Sequence, residues 1–233
     1  MNTIEQAIES MRNGKPVLIY DADGREEETD MTIASEKITP QTINLMRKDC
    51  GGLICTTITN SIATKLGLPY LVDAFNTCDI ELFKRLNKYK DINSKPSFSV
   101  TIDDVNAGSG ISDNQRAVTI NSFAHIAKIA QNDGYSMSKE LPQRFNIPGH
   151  VQLLIGSRAL LRDRQGHTEL SLALAMLAGV GHSATIVEML SDNGNALDKK
   201  SASEYGKTKN FVFIEGKEII KYWDSKFSNV AQF

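Results

Sequence analysis

The sequence predicts an α/β fold carried by one domain over residues 1–233. Three observations point there. Short runs such as PVLIY (16–20), LICTTI (53–58), VQLLIG (151–156) and ATIVEML (184–190) are almost continuously apolar, as in strands buried on both faces. Segments with apolar residues at helical spacing separate them. Composition does not shift along the chain, and no Pro/Gly/Ser-rich linker divides it.

The elements follow in order. Ile4, Ala7, Ile8 and Met11 recur at helical spacing, and Gly14 stops that helix. PVLIY is a buried strand. An acidic stretch, Asp21 to Asp30, then connects it to a second strand at MTIAS (31–35). Thr39 followed by Pro40 caps and opens a helix running to Asp49. Gly51-Gly52 leads into LICTTI, and Asn60 caps a short helix ending at Gly67. Residues 69–96 show no clean period, and 82–96 is the segment expected to move. SFSVTID (97–103) alternates as a half-buried strand. GSGISDNQR (108–116) is a loop. Ile120, Phe123, Ala124, Ala127 and Ala130 mark a helix ending before Gly134. A turn at Pro148-Gly149-His150 precedes VQLLIG. A helix over 168–178, the strand ATIVEML, a short strand FVFI (211–214) and a helix near 217–224 complete the chain.

Composition excludes several classes. With 26 basic and 28 acidic residues the net charge is −2, so no basic excess advertises nucleic acid or an anionic membrane. Apolar residues at 41% and charged residues at 23% are those of a soluble globular chain, not a disordered one. The three cysteines, Cys50, Cys55 and Cys78, have no paired spacing, which suits a reducing cytoplasm. The charged N-terminus lacks a signal-peptide pattern, and the apolar runs are too short for a bilayer.

Three places break the pattern. DADGREEETD (21–30) holds six acidic residues, Asp21, Asp23, Glu26, Glu27, Glu28 and Asp30, against one base, Arg25. Crowded carboxylates repel unless cations or solvent relieve them. Mg²⁺ held by one or two carboxylates and several waters would do so, and a solvated acidic loop is the alternative. RQGHTE (164–169) opens the apolar helix LSLALAML. Its first amides lack intrahelical partners, so Arg164 and the amides near Thr168 form an anion site suited to phosphate. The plainer alternative makes Thr168 a cap and His167 a surface residue. Glu188 falls inside ATIVEML, where a carboxylate is paired, protonated or used; an edge position facing solvent is the alternative. His150 begins a strand and can project into a cleft, although a lone His is more often structural. Cys55 reads by default as a small buried hydrophobe.

Taken together, YDADGREEETDM (20–31), GGLICT (51–56), SGISDNQRA (109–117), PGHV (148–151), RQGHTE (164–169) and IVEML with DNGNAL (186–197) resemble the 3,4-dihydroxy-2-butanone 4-phosphate synthases, in the family's order and over most of the chain. The length and C-terminal extension are similar to the single-domain archaeal form. The resemblance implies a three-layer sandwich with a mixed central sheet, a fold related to that of the YrdC-like carbamoylation proteins. It implies a cytoplasmic homodimer that acts on ribulose 5-phosphate with Mg²⁺ or Mn²⁺ and releases formate in riboflavin biosynthesis. By the same resemblance Glu26 and His167 are the metal ligands. Arg25, Glu26, Asp30, Glu188 and the run Arg164, Gln165, Gly166, His167 and Thr168 contact substrate. His150 and Glu188 are essential acid/base positions, Cys55 lines the site, and Glu28, Asp30 and Glu169 are acidic groups near it.

Two departures stand out. Glu27 falls where many members carry a small or neutral residue. QRFNI (143–147) lacks the usual Arg-bearing form, and Arg144 offers a charge from a shifted position. The residue types suit the implied chemistry. A metal bound to the sugar's carbonyl and hydroxyl oxygens eases enolisation, a carboxylate takes the proton, and the helix N-terminus holds the phosphate. Dehydration, skeletal rearrangement and loss of formate then follow. A nucleotide- or RNA-binding module and a non-catalytic cation-binding protein are the competing readings. The neutral charge argues against the first, and Glu188 in an apolar strand against the second.

Overall fold

The computed structural model describes residues 3–89, 95–131 and 140–227. In chain order the elements are α1 (Thr3–Arg12), β1 (Val17–Tyr20), β2 (Thr29–Ala34), α2 (Pro40–Asp49), β3 (Cys55–Ile58), α3 (Asn60–Leu66), α4 (Leu71–Thr77), α5 (Glu81–Leu86), β4 (Phe98–Asp104), α6 (Asp113–Ile129), α7 (Leu141–Arg144), β5 (Phe145–Ile155), α8 (His167–Ala178), β6 (Ser183–Glu188), α9 (Lys199–Lys209), β7 (Val212–Glu215) and α10 (Gly216–Phe227).

The strands form one mixed sheet in the order β4-β5-β3-β6-β2-β1-β7. β1 runs parallel to β7 and β3 parallel to β5, while the other neighbours are antiparallel. Helices cover both faces. Leu18, Met31 and Ile33 share one core with Ile43 and Met46 of α2, Ile62 of α3, Phe123 of α6 and Ala202 of α9. Val17, Ile19 and Ala34 turn the other way, onto α1, α8 and α10. Successive side chains on a strand point to opposite faces, so a strand buried on both must be apolar throughout. That is why PVLIY reads without alternation. The architecture is the three-layer, mixed-sheet sandwich.

Local chemistry sets several boundaries. Thr39 and Thr42 form a reciprocal capping box ahead of α2, with Pro40 in its first turn. α3 differs from expectation: Thr59 is the N-cap residue, and Asn60 instead donates to the Tyr70 hydroxyl at 3.3 Å. β2 begins at Thr29, so Asp30 belongs to the sheet and not to the acidic connection. β6 ends at Glu188, which is half-buried at a strand end rather than in mid-strand. α4, α5 and α9 arise where no helix was expected; α4 and α5 bury no residue, and α9 buries only Ala202 and Gly206. Part of the 82–96 segment is thus helical, while residues 90–94, like Gly134, lie outside the described residues.

The expected PGH turn lies inside β5. Ile102 pairs with Val151 and the next residue, Asp103, with Asn146, so one step on β4 spans five on β5 and residues 147–150 bulge out of the ladder. Gly149 is required there, since a Cβ would stand 2.0 Å from the backbone carbon of Ile102.

Candidate active site

β2 and β6 deliver two carboxylates side by side, because Asp30 pairs in register with Glu188. The loop after β1 folds back over them around Asp21, which is buried. Its carboxylate accepts from Arg25 Nη1 at 2.8 Å and from the backbone N–H groups of Glu26 and Glu28 at 3.1 Å. Burial opposes ionisation of Asp21, but Arg25 and the amides outweigh it and hold its pKa below the usual range. Asp21 therefore organises the loop. Glu27 takes a left-handed backbone, φ +59°, with its Oε1 accepting from Gly24 N–H at 2.8 Å. That conformation favours Gly or Asn, a physical reason for small residues at this position.

α8 starts one residue earlier than expected, with Gly166 at the N-cap and His167 as its first residue. Thr168 is inside the first turn and does not cap it. His167 is buried, not a surface residue. Its Nε2 lies 3.2 Å from the Glu28 carbonyl and its Nδ1 3.5 Å from Glu26 Oε2. Donation from Nε2 to that carbonyl turns Nδ1 toward Glu26. Asp30 Oδ1 stands 3.7 Å from Nε2.

The electrostatics are those of a charge cluster whose inner members, Asp21, Asp30 and His167, are buried. Burial would lower the pKa of His167, but Asp30, the Glu26 hydrogen bond and Asp21 drive it up to about 9. Burial, reinforced by Glu188, Glu28 and Glu26, raises Asp30 to about 7 against the pull of His167. His167 and Arg25 hold Glu26 down at about 2, while burial pushes Glu28 up.

Eight expected residues, Arg25, Glu26, Glu28, Asp30, Arg164, His167, Thr168 and Glu188, line one cavity of about 180 Å³, with Ser97, Phe98, Leu154 and Ile186 among the rest of its wall. Glu188 Oε2 accepts from Leu53 N–H at 2.8 Å. Arg164 donates to Ser97 Oγ at 2.5 Å. Behind Arg164 a second space of about 280 Å³ shares Ser97 and Arg164 and meets Glu169. Glu169 is fully buried; its Oε1 accepts from Ser157 N–H at 2.9 Å.

The other expected residues stand apart from that wall. Gly166 contributes backbone at the helix start. Gln165 reaches back to the Leu161 carbonyl at 3.5 Å. Cys55 packs with Leu154 and Ile186, and burial pushes its thiol pKa far up, so it stays a thiol. His150 is exposed on the bulge and bonded to Asp103. Arg144 donates to Ser122 Oγ at 2.8 Å and does not line the cavity. Sequence reasoning missed Ser97 and Asp103; an alternating strand pattern carries no signal of either role.

Asp21, Glu26 and His167 bring one potential ligand atom each within 4.8 Å of one another. Asp30 Oδ1, buried and without a hydrogen-bond partner among the described residues, adds an oxygen in need of a cation or proton. Carboxylate and imidazole donors fit a hard or borderline divalent ion. A cation pocket beside an arginine-flanked helix N-terminus, at one end of a mixed sheet, is the equipment of a metal-assisted enzyme acting on a small phosphorylated compound.

The comparisons with known proteins narrow this. The family model for 3,4-dihydroxy-2-butanone 4-phosphate synthase matches residues 5–222. The synthase of Methanothermobacter thermautotrophicus is 37% identical over 94% of both chains, and that of Methanosarcina mazei 38% identical over 94% of this chain and 90% of its own. A crystal structure of a synthase in complex with two magnesium ions superposes with a TM-score of 0.76 at 23% identity, over 97% of this chain and 98% of that one. The Candida albicans synthase gives 0.73 at 26% identity, over 95% and 97%. The chain belongs to the 3,4-dihydroxy-2-butanone 4-phosphate synthase family. It is a lyase of riboflavin biosynthesis.

Proposed function

We propose that this chain converts D-ribulose 5-phosphate to L-3,4-dihydroxy-2-butanone 4-phosphate and formate, as one domain over residues 1–233. The observation that carries this reading is the single cavity in which Asp30, Glu188, Glu26 and His167 meet Arg25 and Arg164. Glu26 and His167 would hold Mg²⁺ or Mn²⁺. When bound, the cation supplies Lewis-acid polarisation of the sugar oxygens.

Arg164, steadied by Ser97 and standing beside the start of α8, holds the phosphate, which fixes the carbon skeleton against the carboxylates. Asp30 takes the proton beside the carbonyl: it lies on the cavity wall, its Oδ1 has no hydrogen-bond partner among the described residues, and burial raises its pKa so that it is a stronger base than an ordinary carboxylate. Glu188 moves protons in the later rearrangement, held by Leu53 N–H. His150, which stands outside the cavity wall, is a second acid/base group on the strength of the family resemblance alone. Leu154 and Ile186 keep water from the reacting carbons. A homodimer, as the family resemblance implies, is part of this proposal. No described helix is long and apolar enough to cross a membrane, and a cytoplasmic site of action accords with that.

Formate release from ribulose 5-phosphate, measured with Mg²⁺ and again with chelator, tests the proposal. Metal-dependent formate is expected. No formate from folded, Mg²⁺-loaded protein would overturn it.

A further inference from the structure

His150 is presented in an unusual way. A four-residue bulge lifts it out of β5, where a regular ladder would have left it as one more alternating side chain. The bulge is held from β4 at two points. Gly149 N–H donates to Thr101 Oγ1 at 3.0 Å, and Asp103 receives His150 twice. The backbone N–H of His150 donates to Asp103 Oδ1 at 2.9 Å, and the ring Nδ1 lies 2.7 Å from Asp103 Oδ2. The His150 side chain is 43% exposed and that of Asp103 only 14%. The carboxylate is itself confined: a Cβ on Gly110 would stand 2.2 Å from Asp103 Oδ2.

We infer that Asp103 is a positioning residue for His150, fixing both the bulge and the ring so that Nδ1 carries the proton and Nε2 is presented as the acid/base atom. The inference rests on the acid/base role proposed above for His150. A carboxylate has two acceptor oxygens and no proton to give, so it satisfies the backbone donor with one and requires an N–H at Nδ1 with the other. The neutral ring then has its lone pair at Nε2, the atom directed away from Asp103. Without such a partner the proton is free to settle on Nε2, and the ring is free to turn. The same logic orients the histidine of serine-protease triads, where replacing the carboxylate by an amide leaves the geometry intact and the tautomer wrong.

Asp103→Asn is the discriminating variant. An asparagine has one acceptor oxygen; if it keeps the backbone N–H of His150, its amide hydrogens face Nδ1 and force the proton to Nε2. The ring nitrogens are read by ¹⁵N NMR of the full chain, with His150 assigned by the signal lost in His150→Gln; there are only 4 histidines. In the wild type a protonated Nδ1 and a bare Nε2 are expected in the neutral ring. In Asp103→Asn we expect that pattern to reverse, with kcat falling at least about 100-fold while KM for ribulose 5-phosphate changes less than about threefold. A wild-type ring with its proton on Nε2 would overturn the inference, and so would an Asp103→Asn enzyme with unchanged tautomer and kcat. If that variant does not fold, the wild-type tautomer decides. A wild type that makes no formate overturns the lyase reading instead, and the tautomer measurement still decides whether Asp103 positions the ring.

Discussion

Asp30 and Glu188 stand opposite each other at the ends of β2 and β6, so two carboxylates share one row of a buried sheet. Each is relieved separately. Asp30 has His167 within 3.7 Å, and Glu188 has the Leu53 N–H at 2.8 Å. A fold built for stability alone would fill such a row with apolar side chains. Its persistence at the floor of the cavity is what marks this end of the sheet as the working end.

Glu188→Gln should abolish turnover and leave the fold intact. The amide oxygen still accepts from Leu53 N–H, the volume is unchanged, and a like charge beside Asp30 is removed. Formate release is expected to fall at least about 100-fold, with a melting temperature within about 3 °C of wild type. Normal turnover by this variant would show that Glu188 has no proton-moving role.

Cation loading should expel a proton. His167 titrates near 9, so at neutral pH the metal-free ring is charged and its Nδ1 is blocked. Loading must discharge it, and affinity should rise with pH toward about 9. The stability signs agree. His167, raised from 6.5, contributes stability that is complete below that value and lost as pH climbs through about 9. Asp30, raised from 3.8 to about 7, adds a penalty that grows across that interval. Metal-free protein should therefore melt lower at pH 9 than at pH 6, and Mn²⁺ should narrow the gap. Proton uptake or release is read with an indicator dye during Mn²⁺ titration; no release at pH 7.5 would contradict the charged ring.

The acidic loop and the helix start were legible in the sequence because each is contiguous: DADGREEE forms one loop and RQGHTE opens one helix, whereas the meeting of Glu26 with His167 was implied only by the family resemblance. Glu188 was legible as an anomaly, a carboxylate inside an apolar run, although its place at the strand end was not. Asp30 was misplaced into the loop because its polarity hid its place in β2. What stayed illegible depends on register and distant packing. Ser97 meets Arg164 across 67 positions, and Asp103 meets His150 across 47 through a bulge that no periodicity announces. α9 escaped notice because KKSASEYGKTK has no apolar stripe; it buries only Ala202 and Gly206, packs Tyr205 against the core and is otherwise held by polar contacts of Lys199, Tyr205 and Lys209.

Gly52→Ala tests how tightly Glu188 is housed. A Cβ there would stand 2.4 Å from Glu188 Oε2 and 2.6 Å from its backbone oxygen, to which Gly52 N–H already donates at 3.1 Å. A backbone atom cannot swing aside, so β3 and β6 must part locally. A loss of about 1–3 kcal/mol is expected, with formate release falling further than stability accounts for because Glu188 is displaced. Wild-type denaturant unfolding in this variant would show that the strands yield without cost.

Lys199 should matter to cation binding although it touches no part of the cavity. It is the first residue of α9, whose start is capped by Asp198 accepting from Ser201 N–H at 3.0 Å. Its Nζ lies 4.4 Å from the Tyr20 ring centre, 3.0 Å from Glu215 Oε2 and 3.3 Å from Asp23 Oδ1, which also accepts from the Tyr20 hydroxyl at 2.8 Å. The end of β1, the end of β7 and the mouth of the acidic loop are thereby tied together from outside. Two residues beyond Tyr20's neighbour Asp21, the inward tether of the same loop, stands Asp23, the outward one; slack at either lets Glu26 drift from His167. Lys199→Met keeps the chain lying on the Tyr20 ring and removes only the charge. Because exposed ion pairs add little to stability, the melting temperature should move by no more than about 2 °C. Mn²⁺ binding, followed by the loss of the free-ion EPR signal, should weaken about two- to fivefold, while kcat at saturating metal stays within about twofold, since the reacting groups are untouched. Weaker binding that is restored in Lys199→Arg would place the effect in the charge and not in packing. Equal Mn²⁺ affinity in wild type and Lys199→Met would mean that Asp21 alone fixes the loop.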